Sequence, residues 1–258
     1  MEIGAGTTKT LDLLDLLILF GIGLLAGVIN TLAGGGSLLT LPILIFMGLP
    51  PVVANATNRI GIFFNGIFAI QGFRSKGATI DRYGIGLGIA AFFGAILGSY
   101  IAIEVKGETF NKILAGVIVL IVAYMLFGKK NTASVEERTD RKTQIIGLIT
   151  FFFIGIYGGF IQAGVGYLIM AALTFVNRFS LLKTNIIKVI IVPIYTIASI
   201  GIFIYNDLIN WELGLALAVG SSFGGWLTSR WSTKIEEKYV RYFVMFTAIG
   251  FAIKLSFF

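Results

Sequence analysis

The residues of this chain best suited to binding chemistry form a row on one predicted helix. Four of them recur at intervals of three and four positions and so share one helical face: Asn55, Asn58, Ile62 and Asn65. Arg59 lies one turn from Asn55 on the same helix. Amides and a guanidinium donate hydrogen bonds to oxygen atoms, and the guanidinium adds a permanent positive charge. This row is therefore suited to holding a small anion.

A second row of the same kind lies 130 positions further along the chain. Its members occupy the equivalent positions: Asn185, Lys188, Val192 and Tyr195. A basic side chain inside an apolar segment is costly and by default marks a functional site. Arg59 and Lys188 each lie about two turns from a segment end, so either could instead extend to the membrane surface. The two rows predict a binding site, with this alternative open for each base.

A glycine cluster precedes each row. The first cluster is Gly34, Gly35 and Gly36, and the second contains Gly164 and Gly166. Consecutive glycines are costly inside a helix, and backbone groups freed within a membrane must meet protein or a watery cavity. We therefore predict a helix break at each cluster, with restarts at Ser37 and at Tyr167. The unpaired N–H groups of two helix starts would attract an anion.

Polar side chains flank both predicted breaks. The first break is accompanied by Thr31, Ser37 and Thr40, and the second by Gln162 and Tyr167. Glycine and hydroxyl residues alone more often indicate helix packing than binding. Their position beside the two basic rows is what favours a polar cavity.

Several other chemistries lack the residues they need. The chain contains no cysteine and no histidine, which excludes disulfides, thiolate ligands and the usual proton shuttle at neutral pH. The acidic residues lie at segment ends or in loops, so a carboxylate-rich cation site and an intramembrane proton relay are not expected. A rhomboid-like protease needs a Ser-His pair, and an aspartyl protease needs paired buried acids. We expect no enzymatic activity, no metal ion and no cofactor.

The composition indicates a membrane protein. Hydrophobic residues make up 57% of the 258 residues and charged residues 13%, which is more apolar surface than one soluble core can bury. Ten apolar stretches recur: 16–33, 38–47, 60–73, 83–103, 113–127, 145–163, 167–176, 189–205, 213–229 and 242–253. Several approach the roughly 20 residues with which a helix crosses a bilayer. We predict an all-α polytopic membrane protein.

The 130-position offset holds across nearly the whole chain and indicates an internal duplication. It aligns, for example, residues 33–36 with residues 163–166. We predict two transmembrane repeats of about five helical segments each, at 1–127 and 144–258, joined by a charged linker at 128–143. In a membrane protein, such a pair of repeats points to a transporter.

The distribution of Lys and Arg predicts that the two repeats are inverted. Bases at Arg74, Lys76 and Arg82 correspond, at the offset, to a stretch around Asp207 that contains none. Inverted repeats would place 14 bases on one side of the membrane and 4 on the other. Because cytoplasmic loops are enriched in Lys and Arg, we predict a cytoplasmic linker and both termini outside. This orientation explains the net charge of +7 without nucleic acid as a partner.

The short segments after the glycine clusters decide the number of crossings. Residues 38–47 would form a helix only ~15 Å long, half of the hydrocarbon thickness, and 167–176 is its counterpart. Three crossings per repeat follow if the short piece and the next helix both fail to cross, and five follow if both cross. We favour five, because 52–73 is long enough to span. A continuous kinked helix at the glycines would give four crossings and parallel repeats.

Three stretches of this sequence resemble one known family. The stretches are residues 32–42 with their glycine triplet, Gly48 to Pro51 followed by Ala54 to Asn58, and, in the second half, Phe160 to Gly166. Together they resemble the signature of the TauE/SafE sulfite exporter family, over roughly residues 12–257. The chain departs from the glycine-rich second motif at Val165.

The resemblance implies a plasma-membrane transporter, bacterial or archaeal, of small sulfur-containing or organic anions such as sulfite, thiosulfate and sulfonates. The family motif carries over to six positions of the first half: Gly34, Gly35, Gly36, Asn55, Thr57 and Asn58. In the second half it carries over to Gly164, Gly166 and Asn185. Sulfite, thiosulfate and sulfonates are all oxyanions that would accept the same donors.

The sequence thus predicts a secondary transporter, of export direction, in which two inverted repeats alternate access to a site at their interface. The predicted substrate-binding residues are Gly34, Gly35, Gly36, Ser37, Asn55, Thr57, Asn58, Arg59, Gln162, Gly164, Gly166, Tyr167, Asn185 and Lys188. A passive anion channel and a non-transporting membrane assembly factor remain alternatives. A homo-oligomer is compatible with the sequence, because lipid-facing and subunit-facing leucines look alike.

Overall fold

Nine α-helices account for most of the residues that the structure describes. The structure is a computed structural model that describes residues 13–79, 81–127 and 136–231, together with separate helical residues between 242 and 254. The nine helices are α1 (Leu13–Leu32), α2 (Ser37–Phe46), α3 (Pro51–Arg74), α4 (Arg82–Glu104), α5 (Gly107–Phe127), α6 (Arg141–Phe160), α7 (Val165–Val176), α8 (Leu181–Tyr205) and α9 (Trp211–Trp231). This confirms the predicted all-α class, and residues 128–135, half of the predicted linker at 128–143, lie outside the described residues.

Four of these helices are long and apolar enough to cross a membrane. They are α1, α4, α6 and α8, with 20, 23, 20 and 25 residues. At about 1.5 Å per residue, 20 residues span the ~30 Å hydrocarbon core. The two short apolar helices are α2 and α7, as the sequence predicted. The protein is therefore an all-α polytopic membrane protein.

Polar side chains fix where α4, α6 and α8 begin. Asp81 and Ser180 accept hydrogen bonds from backbone N–H groups in the first turns of α4 and α8. Asp140 does the same for α6, where it accepts from the hydroxyl and the backbone N–H of Thr143. These hydrogen bonds lower the pKa of Asp140. Such caps satisfy N–H groups that a helix start leaves without an intrahelical partner.

Both predicted glycine breaks are present. Gly34 and Gly164, which occupy equivalent positions, take left-handed backbone angles with φ of 75° and 67°. The second helix of the first pair begins at Ser37, as predicted, but that of the second pair begins at Val165, two residues before Tyr167. Helix α6 also ends two positions earlier than α1 does at this offset, so both connections have four residues, 33–36 and 161–164. Within the second connection Gln162 is left-handed as well, with φ of 59°.

Close contacts at glycines give the relative direction of α1 and α9. Gly23 packs against Leu217, and Gly27 packs against Ser221. Residue numbers therefore rise together along the two helices, which run parallel. Glycine at these positions is what lets the two backbones approach so closely.

Helix α3 also runs parallel to α9, since Gly61 lies against Leu217 and Gly72 lies against Ser229. Helices α1 and α3 thus share one direction, and the intervening α2 must return between them. Gly36 accordingly folds back onto the carbonyl of Ala26 in α1. The alternative of one continuous kinked helix at the glycine triplet is therefore wrong.

A second set of helices runs the opposite way. Helix α4 is parallel to α6, because Gly94 contacts Phe152 and Gly98 contacts Ile156. It is also parallel to α8, in which Ile187 contacts Gly84 and Ser199 is hydrogen-bonded to Ser99. The second set therefore comprises α4, α6 and α8.

The two sets meet where α3 crosses α8. Ala56 packs with Phe203, whereas Gly66 packs against Pro193, so residue numbers fall along α8 as they rise along α3. These two helices occupy equivalent positions in the predicted repeats, and they are antiparallel. Inverted repeats require this relation, so the contacts support the predicted inversion.

Candidate functional site

The two glycine breaks lie against each other. A Cβ atom added to Gly34 would be 2.4 Å from the Cα of Gly166, and a Cβ added to Gly166 would be 2.2 Å from the Cα of Gly34. Two backbones can approach so closely only where neither residue has a side chain. The breaks of the two halves, which lie far apart in the sequence, therefore form one centre.

Arg59 reaches this centre from α3 and binds the end of α6. Its guanidinium donates from Nη1 to the Gly158 carbonyl at 2.9 Å and to Oε1 of Gln162 at 2.6 Å, and from Nη2 to the Gly159 carbonyl at 2.6 Å. The side chain is fully buried and lies 5.0 Å from the ring of Phe203. Arg59 thus satisfies carbonyl groups that the end of α6 leaves without an intrahelical partner.

Lys188 makes the corresponding contact from the other half. Its Nζ atom donates to the carbonyl of Thr31 at 3.0 Å, near the end of α1, and to Oδ1 of Asn185 at 2.8 Å. The side chain is 2% exposed. Each half therefore supplies a cation that binds the helix end preceding the break of the other half.

The burial of these cations decides whether either of them extends to the membrane surface, which the sequence left open. Arg59 is 0% and Lys188 is 2% exposed, so both side chains are directed into the protein and neither extends to the membrane surface. Among the described residues, the partners of the Arg59 guanidinium are neutral oxygen atoms, and no Asp or Glu lies within ion-pair distance of it. The charge of Arg59 is therefore buried without a described counter-ion.

Amide side chains hold the backbone on both sides of the breaks. Asn55 donates to the Phe160 carbonyl at 2.9 Å, and Asn58 accepts from the hydroxyl of Thr40 at 2.6 Å. Asn30 accepts from the backbone N–H of Gly36 at 3.1 Å. The amide row thus ties α3 to both broken helix pairs.

Three buried polar atoms of this row have no hydrogen-bond partner among the described residues. They are Oδ1 of Asn55, Nδ2 of Asn58 and Nε of Arg59. A buried polar atom without a partner costs roughly 1–3 kcal/mol. Unsatisfied donors and acceptors therefore collect at the predicted site, and a bound polar ligand would relieve part of this cost.

A small cavity lies beside the contact between the two breaks. It has a volume of about 20 Å³, which is room for about one water molecule. Its polar and glycine lining residues are Asn30, Gly34, Ser37, Asn65, Gly66, Gln162, Gly166 and Lys188. Residues from both halves thus share one enclosed space, which is too small for an oxyanion in this conformation.

The starts of α2 and α7 add to the positive character of this region. The residues that precede the two helices, Gly36 and Gly164, provide no side-chain cap, and Ser37 and Gly166 of the first turns line the cavity. The positive end of each helix dipole favours a negative charge. Tyr167, also in the first turn of α7, lies against Gly35 at the first break.

Five of the predicted residues line this cavity: Gly34, Ser37, Gln162, Gly166 and Lys188. The others, which include Arg59 and Asn55, are not among its lining residues. The hydroxyl of Thr57 accepts from the backbone N–H of Asn210, in the connection between α8 and α9. Gly164 forms the left-handed turn but lies against Ile121 of α5. Asn185 is half-buried, and its Oδ1 atom accepts a hydrogen bond from the Nζ of Lys188.

Asn30 is a lining residue that the sequence reasoning missed. It lies two residues before the end of α1 and satisfies Gly36 across the turn. An amide within an otherwise apolar segment, just before a glycine break, was the signal that could have identified it. Thr196, which accepts from the Gln162 amide at 3.5 Å, gave no such signal.

The arrangement can bind a small anion but provides no metal site among the described residues. No group of three or more His, Cys, Asp or Glu side chains comes together in the described part of the chain. The groups that come together are a guanidinium, an ammonium, amides and the positive ends of two helices. Oxyanions bind such groups well.

Comparison with known proteins supplies the family context. The family described as Sulfite exporter TauE/SafE matches residues 19–255. A probable membrane transporter protein of Haemophilus influenzae is 32% identical over 213 residues, which is 82% of this chain and 83% of the relative. The probable membrane transporter protein ORF9 of Sinorhizobium is 25% identical over 93% of this chain and 92% of its own length. The probable membrane transporter protein YfcA of Escherichia coli is 27% identical over 92% and 88%. No solved structure gives a significant match.

Proposed function

Because this chain belongs to the TauE/SafE sulfite exporter family and is a membrane transporter, we propose that it carries a small sulfur-containing or organic anion. Sulfite, thiosulfate and short sulfonates are the candidates, with export as the direction. The substrate binds between the two broken helix pairs, where Arg59 and Lys188 enter from opposite halves.

The observation that carries this proposal is the fully buried guanidinium of Arg59. Its described partners are two carbonyl groups and one amide oxygen, and these compensate the cost of a buried charge only in part. An anion bound beside Arg59 would supply the missing negative charge. A cationic or neutral substrate would not.

Alternating access follows from the size of the cavity. About 20 Å³ holds one water molecule, so an oxyanion enters only if the two broken helix pairs move apart. When they do, Arg59 exchanges the carbonyl groups of Gly158 and Gly159 for substrate oxygens. The same groups then rebind Arg59 once the anion has left, which returns the protein to the closed arrangement.

We propose that the moving units are the two sets of helices, α1, α3 and α9 on one side and α4, α6 and α8 on the other, which rock about the contact between Gly34 and Gly166. They are not the predicted repeats, residues 1–127 and 144–258, because α9 packs against α1 and α3 and α4 packs against α6 and α8. Helices α3 and α8 run in opposite directions and carry their cations towards this contact. Arg59 lies eight residues after the start of α3, and Lys188 lies seven residues after the start of α8, or about 10–12 Å by helical rise. Because α3 and α8 are antiparallel, Arg59 lies nearer one surface of the membrane and Lys188 lies nearer the other.

Counterflow in proteoliposomes tests this function. Vesicles loaded with unlabelled sulfite, thiosulfate or ethanesulfonate are diluted into a trace of the same labelled anion. A transporter that alternates access accumulates label when its own substrate is inside and does not when the vesicles are empty. Rapid equilibration without such stimulation would identify a passive channel, and no flux of any of the three anions would contradict the proposed substrate class.

A further inference from the structure

An apolar groove runs along the outside of the protein between α3 and α9. It has a volume of about 510 Å³ and is lined mainly by Phe64, Phe68, Leu215, Val219, Phe223 and Trp226. The aromatic and aliphatic side chains on its walls are exposed: Phe64 and Phe68 are each 37% and Val219 is 51% exposed. The groove is thus open to the surroundings of the protein along its length and separate from the closed cavity at the glycine breaks.

The length of this groove matches one leaflet of a bilayer. Along α9 it extends from Leu215 to Trp226, which is about 16 Å at 1.5 Å per residue. Half of a ~30 Å hydrocarbon core is about 15 Å. A lipid acyl chain of about this length therefore fits along the groove.

Positive charge is concentrated at one end of the groove. Helices α3 and α9 are parallel, so their last turns lie together, and these turns contain Arg74 and Arg230. Arg230 stacks on the ring of Trp226 at 4.7 Å, and Gln71, which lines the groove, lies one turn before Arg74. Arg230 and Gln71 thus lie at this end of an otherwise apolar channel, and Arg74 ends the neighbouring helix α3.

We infer that this groove is a binding site for an anionic phospholipid, with an acyl chain between Phe68 and Trp226 and the phosphate held by Arg74 and Arg230. The chemistry of the two parts matches that of the ligand: an apolar channel about 16 Å long and two arginines whose guanidinium groups can bind phosphate oxygens. The mouth lies at the end of α3 that the distribution of bases predicts to be cytoplasmic, where anionic lipids are abundant. This inference does not depend on the identity of the transported anion.

Trp226 provides a direct probe of the occupant. The chain has three tryptophans, so Trp211→Phe and Trp231→Phe leave Trp226 as the sole emitter. The protein is placed in vesicles of phosphatidylcholine that contain increasing fractions of acyl-brominated phosphatidylglycerol or of acyl-brominated phosphatidylcholine. We expect half-maximal quenching of Trp226 at a roughly tenfold lower fraction of the anionic lipid, since each of two arginines near the surface contributes appreciably.

Three further variants test the parts of the site. Arg74→Gln with Arg230→Gln should remove the preference for the anionic lipid, whereas Arg82→Gln with Arg138→Gln, two exposed arginines away from the groove, should keep it. Val219→Phe fills the groove from its open side and should weaken quenching by both lipids. Equal quenching by the two lipids in the parent protein would overturn the inference. Absence of Trp226 quenching by either brominated lipid would also overturn the inference. It would indicate that a second copy of the chain covers the groove.

Discussion

At the scale of single residues, Arg59 and Lys188 each bind a helix end that belongs to the other half of the chain. The acceptors are the carbonyls of Gly158 and Gly159 for Arg59 and the carbonyl of Thr31 for Lys188. A carbonyl at a helix end carries only a partial negative charge. Substrate oxygens with a full charge can therefore compete with these carbonyls for the same donors.

Lys188→Gln should reduce anion counterflow by roughly tenfold or more while the protein stays folded. Glutamine keeps a polar amide but has no charge and is one bond shorter, and a hydrogen bond to a charged group contributes roughly 1.5–3 kcal/mol. Lys183→Gln is the matched control, because Lys183 belongs to the same helix and forms an exposed ion pair with Glu137. Equal activity of the two variants would show that Lys188 serves only the packing of α1.

At the scale of helices, the sequence predicted the breaks but not everything around them. Glycine triplets signal a break because few other residues accept left-handed angles, and the restart at Ser37 followed from that. The second break begins two positions earlier than the offset predicts, with a left-handed Gln162 inside it, and glutamine gives no signal for that conformation. The partners of Arg59 lie 99 to 103 residues away, so they depend on how α3 packs against α6 and cannot be read from local spacing.

Gly34→Ala should destabilise the protein by about 2–5 kcal/mol. The substitution forces an L side chain into the left-handed region and drives a Cβ into the backbone of Gly166. Gly21→Ala is the control, since nothing lies within 4 Å of a Cβ at Gly21, and alanine favours the helix there. Thermal unfolding of the two purified variants in detergent measures the difference. Similar stability of both would mean that the two breaks are not in contact in the membrane.

At the scale of the whole molecule, two bundles of opposite direction are joined through the glycine breaks. Helices α1, α3 and α9 form one bundle, and α4, α6 and α8 form the other. Each bundle combines helices from both predicted repeats, so the repeats are intertwined through α9 and α4. The antiparallel directions of α3 and α8 agree with the inversion that the unequal distribution of Lys and Arg predicts, because loop charge follows the side of the membrane. The intertwining could not be predicted, because no charge or spacing specifies which helices become neighbours.

The predicted orientation can be measured by cysteine labelling, because the chain contains no cysteine of its own. Thr139→Cys, in the segment before α6, should react with a membrane-impermeant maleimide only when the cytoplasmic side is accessible. Glu104→Cys, at the end of α4, should react only from the outside. Both positions are exposed. Labelling of both from the same side would contradict five crossings per repeat and the proposed outward termini.

The central claim is that the buried guanidinium of Arg59 binds the transported anion. The most direct test compares counterflow of sulfite, thiosulfate and ethanesulfonate by the parent protein, Arg59→Lys, Arg59→Gln and the exposed control Arg82→Gln, after equal insertion and folding are verified. We predict that Arg82→Gln transports normally and that Arg59→Gln loses transport. Arg59→Lys should lose most of it, because an ammonium cannot reproduce the planar fork. Normal transport by folded Arg59→Gln would contradict the claim and would leave Arg59 as a cap for the end of α6.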